Sequence, residues 1–148
     1  CVMSSTGYVL TLGECPFVWA SKLLTESALN TLEAEYIALS TAMRELLPLK
    51  RLLKEIGEAV GETLSDQVEL SSTIFDDNNG AIALATSPKL TPRTKYIGIK
   101  YHWFRSHIGK EQGITLERIE SENQKADLFT KGLCEEIFCR VRKLLMGW

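Results

Sequence analysis

The chain has 148 residues, of which 45% are hydrophobic and 24% charged, a balance typical of one globular domain. Its net charge of −2 excludes a strongly basic domain, so any contact with nucleic acid must come from a local basic surface. No apolar run approaches the roughly 18 residues that a membrane-spanning helix needs. The four cysteines are not spaced like zinc ligands, and reduced thiols of an intracellular protein are their simplest interpretation.

The first predicted elements are two β-strands, residues 7–12 and 15–20, which are rich in β-branched and aromatic side chains. Gly13 and Glu14 separate them, and a short glycine-containing turn between two such runs predicts a β-hairpin. Trp19, in the second strand, is expected to lie in the core.

A long amphipathic helix is predicted to begin at Thr31, which is expected to cap it. Its apolar residues recur at steps of three and four, as one buried stripe of a helix requires. Pro48 is expected to kink or interrupt the helix, and an apolar face continues beyond it to Gly57. The stripe consists of Tyr36, Leu39, Met43, Leu46 and Leu47.

Strands and helices alternate in the rest of the chain. The pattern predicts strands at 72–75 and 114–119, helices at 81–85, 97–110, 124–131 and 135–146, and loops at 57–68 and 87–95. On the predicted helix at 97–110, Trp103 is expected in the core and His102 in a structural or hydrogen-bonding role. This order of elements predicts an α/β domain with a mixed sheet flanked by helices.

Three acidic residues lie at the ends of predicted elements. Asp77 follows a strand, Glu35 lies in the first turns of the long helix, and Asp127 begins a late helix. Ligands of open α/β sheets bind at the carboxyl ends of the strands, so these three carboxylates are expected to converge there. Clustered carboxylates raise one another's pKa, and a hard cation such as Mg²⁺ or Mn²⁺ relieves the repulsion.

Each of these residues also has a simpler interpretation. Asp77, followed by two asparagines, equally fits a turn and a helix cap. Glu35 fits a solvated helix residue, and Asp127 fits a first-turn partner of the helix dipole. Composition and spacing indicate no more than a candidate metal-dependent site and do not identify an enzyme.

Short segments spread over nearly the whole chain add a resemblance to a known family. They are Ser4–Val9, Trp19–Lys22, Leu32–Ser40, Asp77–Ile82, Arg93–Lys95, Lys100–His102 and Ala126–Lys131. Each segment is weak alone, but together and in this order they resemble the ribonuclease H domain of copia-type retrotransposon polyproteins.

The resemblance implies a ribonuclease H fold and an endonuclease that hydrolyses the RNA strand of RNA–DNA hybrids during reverse transcription. The family holds two magnesium ions (or Mn²⁺) with four carboxylates, and Glu35, Asp77 and Asp127 match three of them as catalytic residues and metal ligands. Glu33 is the less favoured neighbour of Glu35. The fourth carboxylate lies in the family on a central strand that would precede Cys1.

We therefore expect residues 1–148 to form a single ribonuclease H-like domain, truncated at its N-terminus and lacking the first, central strand. Without that strand, the hairpin is expected to pair directly with the strand near Ile74, because a gap between them would leave apolar surface unburied. Departures from the family pattern at Tyr96, Gly98 and Gly132 favour a retrotransposon that has decayed by mutation.

Further expectations concern the partners and location of the domain, its alternative functions and its contacts with substrate. The expected partners are the RNA–DNA hybrid and the upstream reverse transcriptase of the same polyprotein, and no membrane contact is expected. The expected location is the cytoplasmic retrotransposon particle, with a nuclear phase. The alternatives are a catalytically inactive relic that binds nucleic acid or is structural, and an unrelated α/β domain whose carboxylates cap helices. Residues expected to contact substrate are Lys22, Asn78, Asn79, Arg93, Lys95, Lys100 and Arg105.

Overall fold

Strands and helices alternate along the chain, as expected for an α/β protein. The computed structural model describes residues 5–23, 30–60, 70–87, 97 and 99–148, and the predicted loops at 57–68 and 87–95 lie largely outside these ranges. No helix within them is long and apolar enough to cross a membrane. The strands are β1 (Ser5–Leu12), β2 (Cys15–Leu23), β3 (Ser72–Asp76) and β4 (Ile114–Arg118), and the helices are α1 (Thr31–Ala59), α2 (Asn79–Thr86) and α3 (Glu135–Met146).

Strands β1 and β2 form the predicted antiparallel hairpin, with Val9 opposite Trp19. Gly13 in the turn has a φ of 59°, a left-handed conformation that glycine adopts at little cost. The side chains of β2 alternate between two faces, and Trp19 and Phe17 lie on the exposed one. Trp19 is 60% exposed, so its expected place in the core is wrong.

Helix α1 begins at Thr31 as predicted, but its cap is the preceding residue, Asn30. The side chain of Asn30, not that of Thr31, accepts the hydrogen bond from the backbone N–H of Glu33, at 2.9 Å. The helix runs through Pro48 to Ala59, so the expected interruption is wrong. Pro48 and Arg44 are both exposed, and water can bond the carbonyl oxygen that the proline leaves without an amide partner.

The core lies where α1 meets α2 and the aromatic segment around Phe104. The ring of Tyr36 packs on that of Phe104, with 5.2 Å between centroids. Trp103 packs against this core, as predicted, and its Nε1 donates to the Oγ of Ser40 at 3.1 Å. The buried members of the core are Tyr36, Leu39, Met43, Ala81, Leu84, Ala85, Ile97, Phe104 and Ile114.

Two predicted helices are wrong, whereas the helix at 135–146 is confirmed as α3. The segment predicted as a helix at 97–110 instead forms 3-10 turns at Ile99–Tyr101 and Trp103–His107. The consecutive residues His102, Trp103 and Phe104 all contact α1, which one continuous helix would not allow, and the chain instead breaks at His102 between the two turns. The segment 124–131 likewise forms a 3-10 turn, Lys125–Phe129.

The strands form two separate two-stranded sheets instead of one mixed sheet. Strand β3 pairs in parallel with β4, and β1 pairs with β2, so the expected pairing of the hairpin with Ile74 is wrong. A cleft of about 1080 Å³, lined by β1, β3 and one side of α1, lies between the sheets. The hairpin is held by other contacts: β1 packs on α1, and the Oγ of Ser21 donates to the carbonyl oxygen of Phe129.

Candidate metal centre

Glu35 reaches the edge of the cleft from the second turn of α1. The Asn30 cap fixes the start of the helix, and the neighbouring Tyr36 is fully buried in the core. Glu35 itself is partly buried and lines the cleft. Core packing of one face of α1 thus places this carboxylate beside the end of the cleft, where β3 also ends.

The end of β3 supplies two successive carboxylates. Asp76 is only 4% exposed, and its Oδ1 accepts the backbone N–H of Asn78 at 2.7 Å. The side chain of Asn78 caps α2 by accepting the backbone N–H groups of Gly80 and Ala81, at 2.9 and 3.1 Å. Because Asn78 is the cap, the carboxylate of Asp77 is not needed to begin the helix.

Asp127 comes to the same place on the turn Lys125–Phe129. The side chain of Gln124 ties this turn to β3, because its Nε2 donates to the carbonyl oxygen of Phe75 at 3.3 Å. Asp127 is 9% exposed, and its Oδ2 accepts a hydrogen bond from the Nζ of Lys131 at 2.9 Å. The same Nζ lies 3.9 Å from the Oδ2 of Asp77.

The structure therefore brings Glu35, Asp77 and Asp127, which the sequence analysis singled out, to one region of the molecule, together with Asp76. Glu35, Asp76 and Asp77 each offer a carboxylate oxygen, and these oxygens lie within 4.8 Å of one another. Asp127 joins them through Lys131, and its charge acts on Glu35. We call these four acidic residues the carboxylate cluster.

Burial and mutual repulsion disfavour the charged forms of these groups. Burial, followed by the charges of Asp76 and Asp77, raises the pKa of Glu35 from 4.5 to about 7. Burial also raises the pKa of Asp76 from 3.8 to about 6, against the lowering effect of the hydrogen bond from Asn78. The pKa of Asp127 is raised by burial, although Lys131 opposes the rise. Carboxylates with pKa values raised in this way mark a candidate functional site.

Two members of the site were missed in the sequence analysis. Asp76 was missed, although alternation along β3 places it on the same face as the partly buried Ile74. Lys131 was missed as well, although it follows Asp127 by four residues, a spacing that favours an ion pair on a helical turn. The period of the strand and this spacing were the available signals.

The residues expected to contact substrate lie in different places. Lys22 and Asn79 are exposed, on β2 and at the start of α2. Lys100 is exposed, and its Nζ lies 4.9 Å from the ring centroid of Tyr101. Arg105 donates to the carbonyl oxygen of Ser87 at the end of α2. The amide oxygen of Asn78 is used in capping, and Arg93 and Lys95 lie outside the described residues.

His102 has the hydrogen-bonding role expected of it. Its Nδ1 lies 2.9 Å from the hydroxyl oxygen of Tyr36, and the two rings are in contact. Burial lowers the pKa of His102, with a further lowering effect from Arg105, so the neutral ring is favoured. His102 thus joins the aromatic segment to α1.

Several curated proteins resemble this chain. It is 34% identical over 141 residues to the retrovirus-related Pol polyprotein from transposon TNT 1-94 of Nicotiana tabacum, covering 90% of this chain and 10% of the relative. It is 29% identical over 136 residues to those from transposons RE1 and RE2 of Arabidopsis thaliana, covering 92% of this chain and 9% of each relative. No family model and no solved structure matches it. The chain is thus homologous to about a tenth of the length of retrovirus-related Pol polyproteins from plant transposons.

Proposed function

We propose that this chain is the ribonuclease H region of a retrotransposon Pol polyprotein, an endonuclease that hydrolyses the RNA strand of RNA–DNA hybrids. The observation that carries the proposal is the convergence of Glu35, Asp76 and Asp77 within 4.8 Å, with Asp127 beside them. The homology to Pol polyproteins and the segments that resemble copia-type ribonuclease H both support it.

The donor set fits a hard divalent cation. All four groups are carboxylates, the ligands that Mg²⁺ and Mn²⁺ prefer over the nitrogen and sulfur ligands of zinc sites. Two oxygens bound to one Mg²⁺ at about 2.1 Å lie at most about 4.2 Å apart, and the three nearest oxygens here lie within 4.8 Å of one another, so a small shift of the side chains would bring them to one ion. Glu35, Asp77 and Asp127 would hold the metal, and Asp76 is the additional candidate ligand. Bound magnesium would supply charge stabilisation and activation of water at a phosphodiester.

The chain's own residues hold the carboxylates of the site in position. The buried Asp76 and the Asn78 cap hold the end of β3 in place, so the carboxylate of Asp77 is positioned before substrate binds. Asp127 is held by its turn and by Lys131. Preorganised carboxylates of this kind stabilise charge without reorganising during the reaction.

The cleft between β1 and β3 has a volume of about 1080 Å³. The resemblance implies a central strand there that carries the fourth family carboxylate. Within the described residues β1 pairs with β2 and β3 with β4, which leaves one edge of each strand facing the cleft. The Oγ1 of Thr6, on the cleft wall, is buried without a hydrogen-bond partner among these residues. We infer that a strand supplied by the polyprotein completes the site.

In this proposal the hybrid contacts the protein next to the carboxylate cluster. Lys22 and Asn79 are exposed side chains available for phosphate contacts, and Lys100 is a further candidate. The upstream reverse transcriptase of the same polyprotein delivers the hybrid, in the cytoplasmic particle of the element with a nuclear phase.

Cleavage of a labelled hybrid in Mg²⁺ tests this function. The measured chains are the 148-residue chain and a chain extended by the preceding polyprotein sequence. We expect the extended chain to cut only the RNA strand, leaving 5′-phosphate and 3′-hydroxyl ends, and the shorter chain to cut very poorly. Asp77→Asn in the extended chain should lower the rate at least about a hundred-fold, because it removes a charged ligand.

Glu33→Gln is the matched control, since Glu33 is on α1 two residues from Glu35 and outside the group of converging oxygens. It should leave the rate within about two-fold of the unmodified extended chain. The proposal is wrong if the extended chain is inactive while folded, or if Asp77→Asn has no more effect than Glu33→Gln.

One observation favours a second candidate, the catalytically inactive relic. The ammonium of Lys131 lies against both Asp77 and Asp127, where it neutralises part of the cluster without a metal. A folded extended chain that binds the hybrid but cleaves neither strand in Mg²⁺ or Mn²⁺ would identify the relic.

A further inference from the structure

Lys131 is the basic side chain that the structure places against the carboxylate cluster. Its backbone N–H donates to the carbonyl oxygen of Asp127 at 3.0 Å, which directs the side chain back over the turn. The Nζ then lies 2.9 Å from the Oδ2 of Asp127 and 3.9 Å from the Oδ2 of Asp77. One ammonium thus faces two of the three carboxylates assigned above to the metal.

The position of Lys131 differs from that of an ordinary surface ion pair. Its carboxylate partners are largely buried, with side chains 12% and 13% exposed, whereas the side chain of Lys131 is 47% exposed. Charges on groups of low exposure are weakly screened by water, so the ammonium offsets repulsion that solvent does not. Its long, half-exposed stem also leaves it free to withdraw toward solvent.

We propose that Lys131 is an internal counter-ion that competes with a divalent cation for Asp77 and Asp127 and so lowers the affinity of the site for metal. This inference rests on the proposed function in one respect, since it takes the cluster to be a metal site. An oxygen that accepts a hydrogen bond from the ammonium offers less charge to a second cation, and two cations at this distance repel each other. Metal binding therefore requires the ammonium of Lys131 to move away.

Two simpler roles for Lys131 make different predictions. A lysine that only ties the turn to Asp127 would stabilise the fold, and its removal would weaken the site by loosening Asp127. A lysine that only contacts substrate phosphate would leave metal binding unchanged when replaced. Competition alone predicts that replacing Lys131 makes metal binding tighter.

Calorimetric titration of Mn²⁺ into the 148-residue chain distinguishes these roles. We expect Lys131→Met to lower the Kd for Mn²⁺ about five-fold relative to the unmodified chain. Lys131→Arg keeps the charge and should leave the Kd within about two-fold. Lys125→Met removes the same charge from the same segment, outside the ion pairs that Lys131 makes with Asp77 and Asp127, and should change the Kd by less than about two-fold.

Thermal unfolding supplies a readout that does not depend on catalysis. In EDTA, Lys131→Met should unfold at a lower temperature than the unmodified chain, because the carboxylates lose their counter-ion. Added Mn²⁺ should then raise its Tm by more than it raises that of the unmodified chain. If Lys131→Met does not fold in EDTA, recovery of folding in Mn²⁺ supports the proposal, and failure to recover contradicts it.

The outcomes separate this inference from the proposed function. Equal or weaker Mn²⁺ binding by a folded Lys131→Met variant overturns the competition and leaves the metal site standing. Absence of Mn²⁺ binding by all folded variants, and by the folded extended chain as well, overturns both. If Lys125→Met tightens Mn²⁺ binding as much as Lys131→Met does, the effect comes from net charge alone. That result would overturn the specific role of Lys131.

Discussion

Glu35 and Asp76 couple the protonation of single residues to the stability of the fold. Folding raises their pKa values, from 4.5 to about 7 and from 3.8 to about 6, chiefly through burial. The folded protein therefore binds these two protons more tightly than the unfolded chain does. The resulting stabilisation is complete below about pH 4 and is lost as the pH rises through about 6 and about 7.

We accordingly predict that the free energy of unfolding, in EDTA, falls between about pH 4 and about pH 7 through these groups. Glu35→Gln should flatten the fall, since glutamine keeps the shape of the side chain and does not titrate. Glu33→Gln is the control on the same helix and should keep the slope of the unmodified chain. Urea unfolding at a series of pH values measures the slope, and an equal slope in the Glu35→Gln and Glu33→Gln variants would contradict the assignment.

At the level of secondary-structure elements, close packing of β1 on the turn Lys125–Phe129 positions Asp127. A Cβ added at Gly7 would lie 2.6 Å from the Cγ2 of Thr130 and 3.0 Å from the Cβ of Phe129. Only glycine therefore allows the strand to approach the turn this closely. The absence of a side chain at Gly7 is thus part of how the hairpin and the site are joined.

Gly7→Ala is predicted to lower the free energy of unfolding by about 1–3 kcal/mol, because Thr130 and Phe129 must shift. The shift should also displace Asp127 and weaken Mn²⁺ binding. Gly132→Ala is the matched control, because a Cβ there meets nothing within 4 Å among the described residues. Chemical denaturation and metal titration of both variants test this packing, which is refuted if the two alanine variants are equally stable.

At the scale of the whole molecule, no element among the described residues covers the apolar surface and the strand edges of the cleft between the sheets. Its wall includes apolar residues of α1 such as Leu46, Leu49 and Leu53, and the edge of β3. Exposed apolar surface next to an open strand edge favours self-association and binding of apolar dyes. A strand inserted there would cover both.

We predict that the 148-residue chain binds an apolar dye and self-associates, and that extension by the preceding polyprotein sequence abolishes both. The extension should also slow amide exchange in β1 and β3, because their free edges become hydrogen bonded. A glycine–serine extension of equal length is the control and should change neither property. Equal dye binding by the two extended chains would show that the cleft does not take up a strand.

The local elements were largely determined by the sequence itself. The alternation in 7–12 and 15–20 with Gly13 between them was sufficient for the hairpin, and the stripe from Tyr36 to Met43 was sufficient for α1. Local periodicity reports which face of a segment is buried, and this is a property of neighbouring residues. It could also have revealed Asp76, which continues the buried face of β3.

Tertiary structure decided how these elements combine. The segment 97–110 has helical spacing, but three successive side chains pack on α1 and impose 3-10 turns. Glu35, Asp77 and Asp127 are far apart in sequence, and only the packing of α1, β3 and the turn Lys125–Phe129 brings them and Lys131 together. The hairpin lies apart from β3 because its contacts with α1 and Phe129 fix it there, and a local pattern contains no information about such long-range contacts.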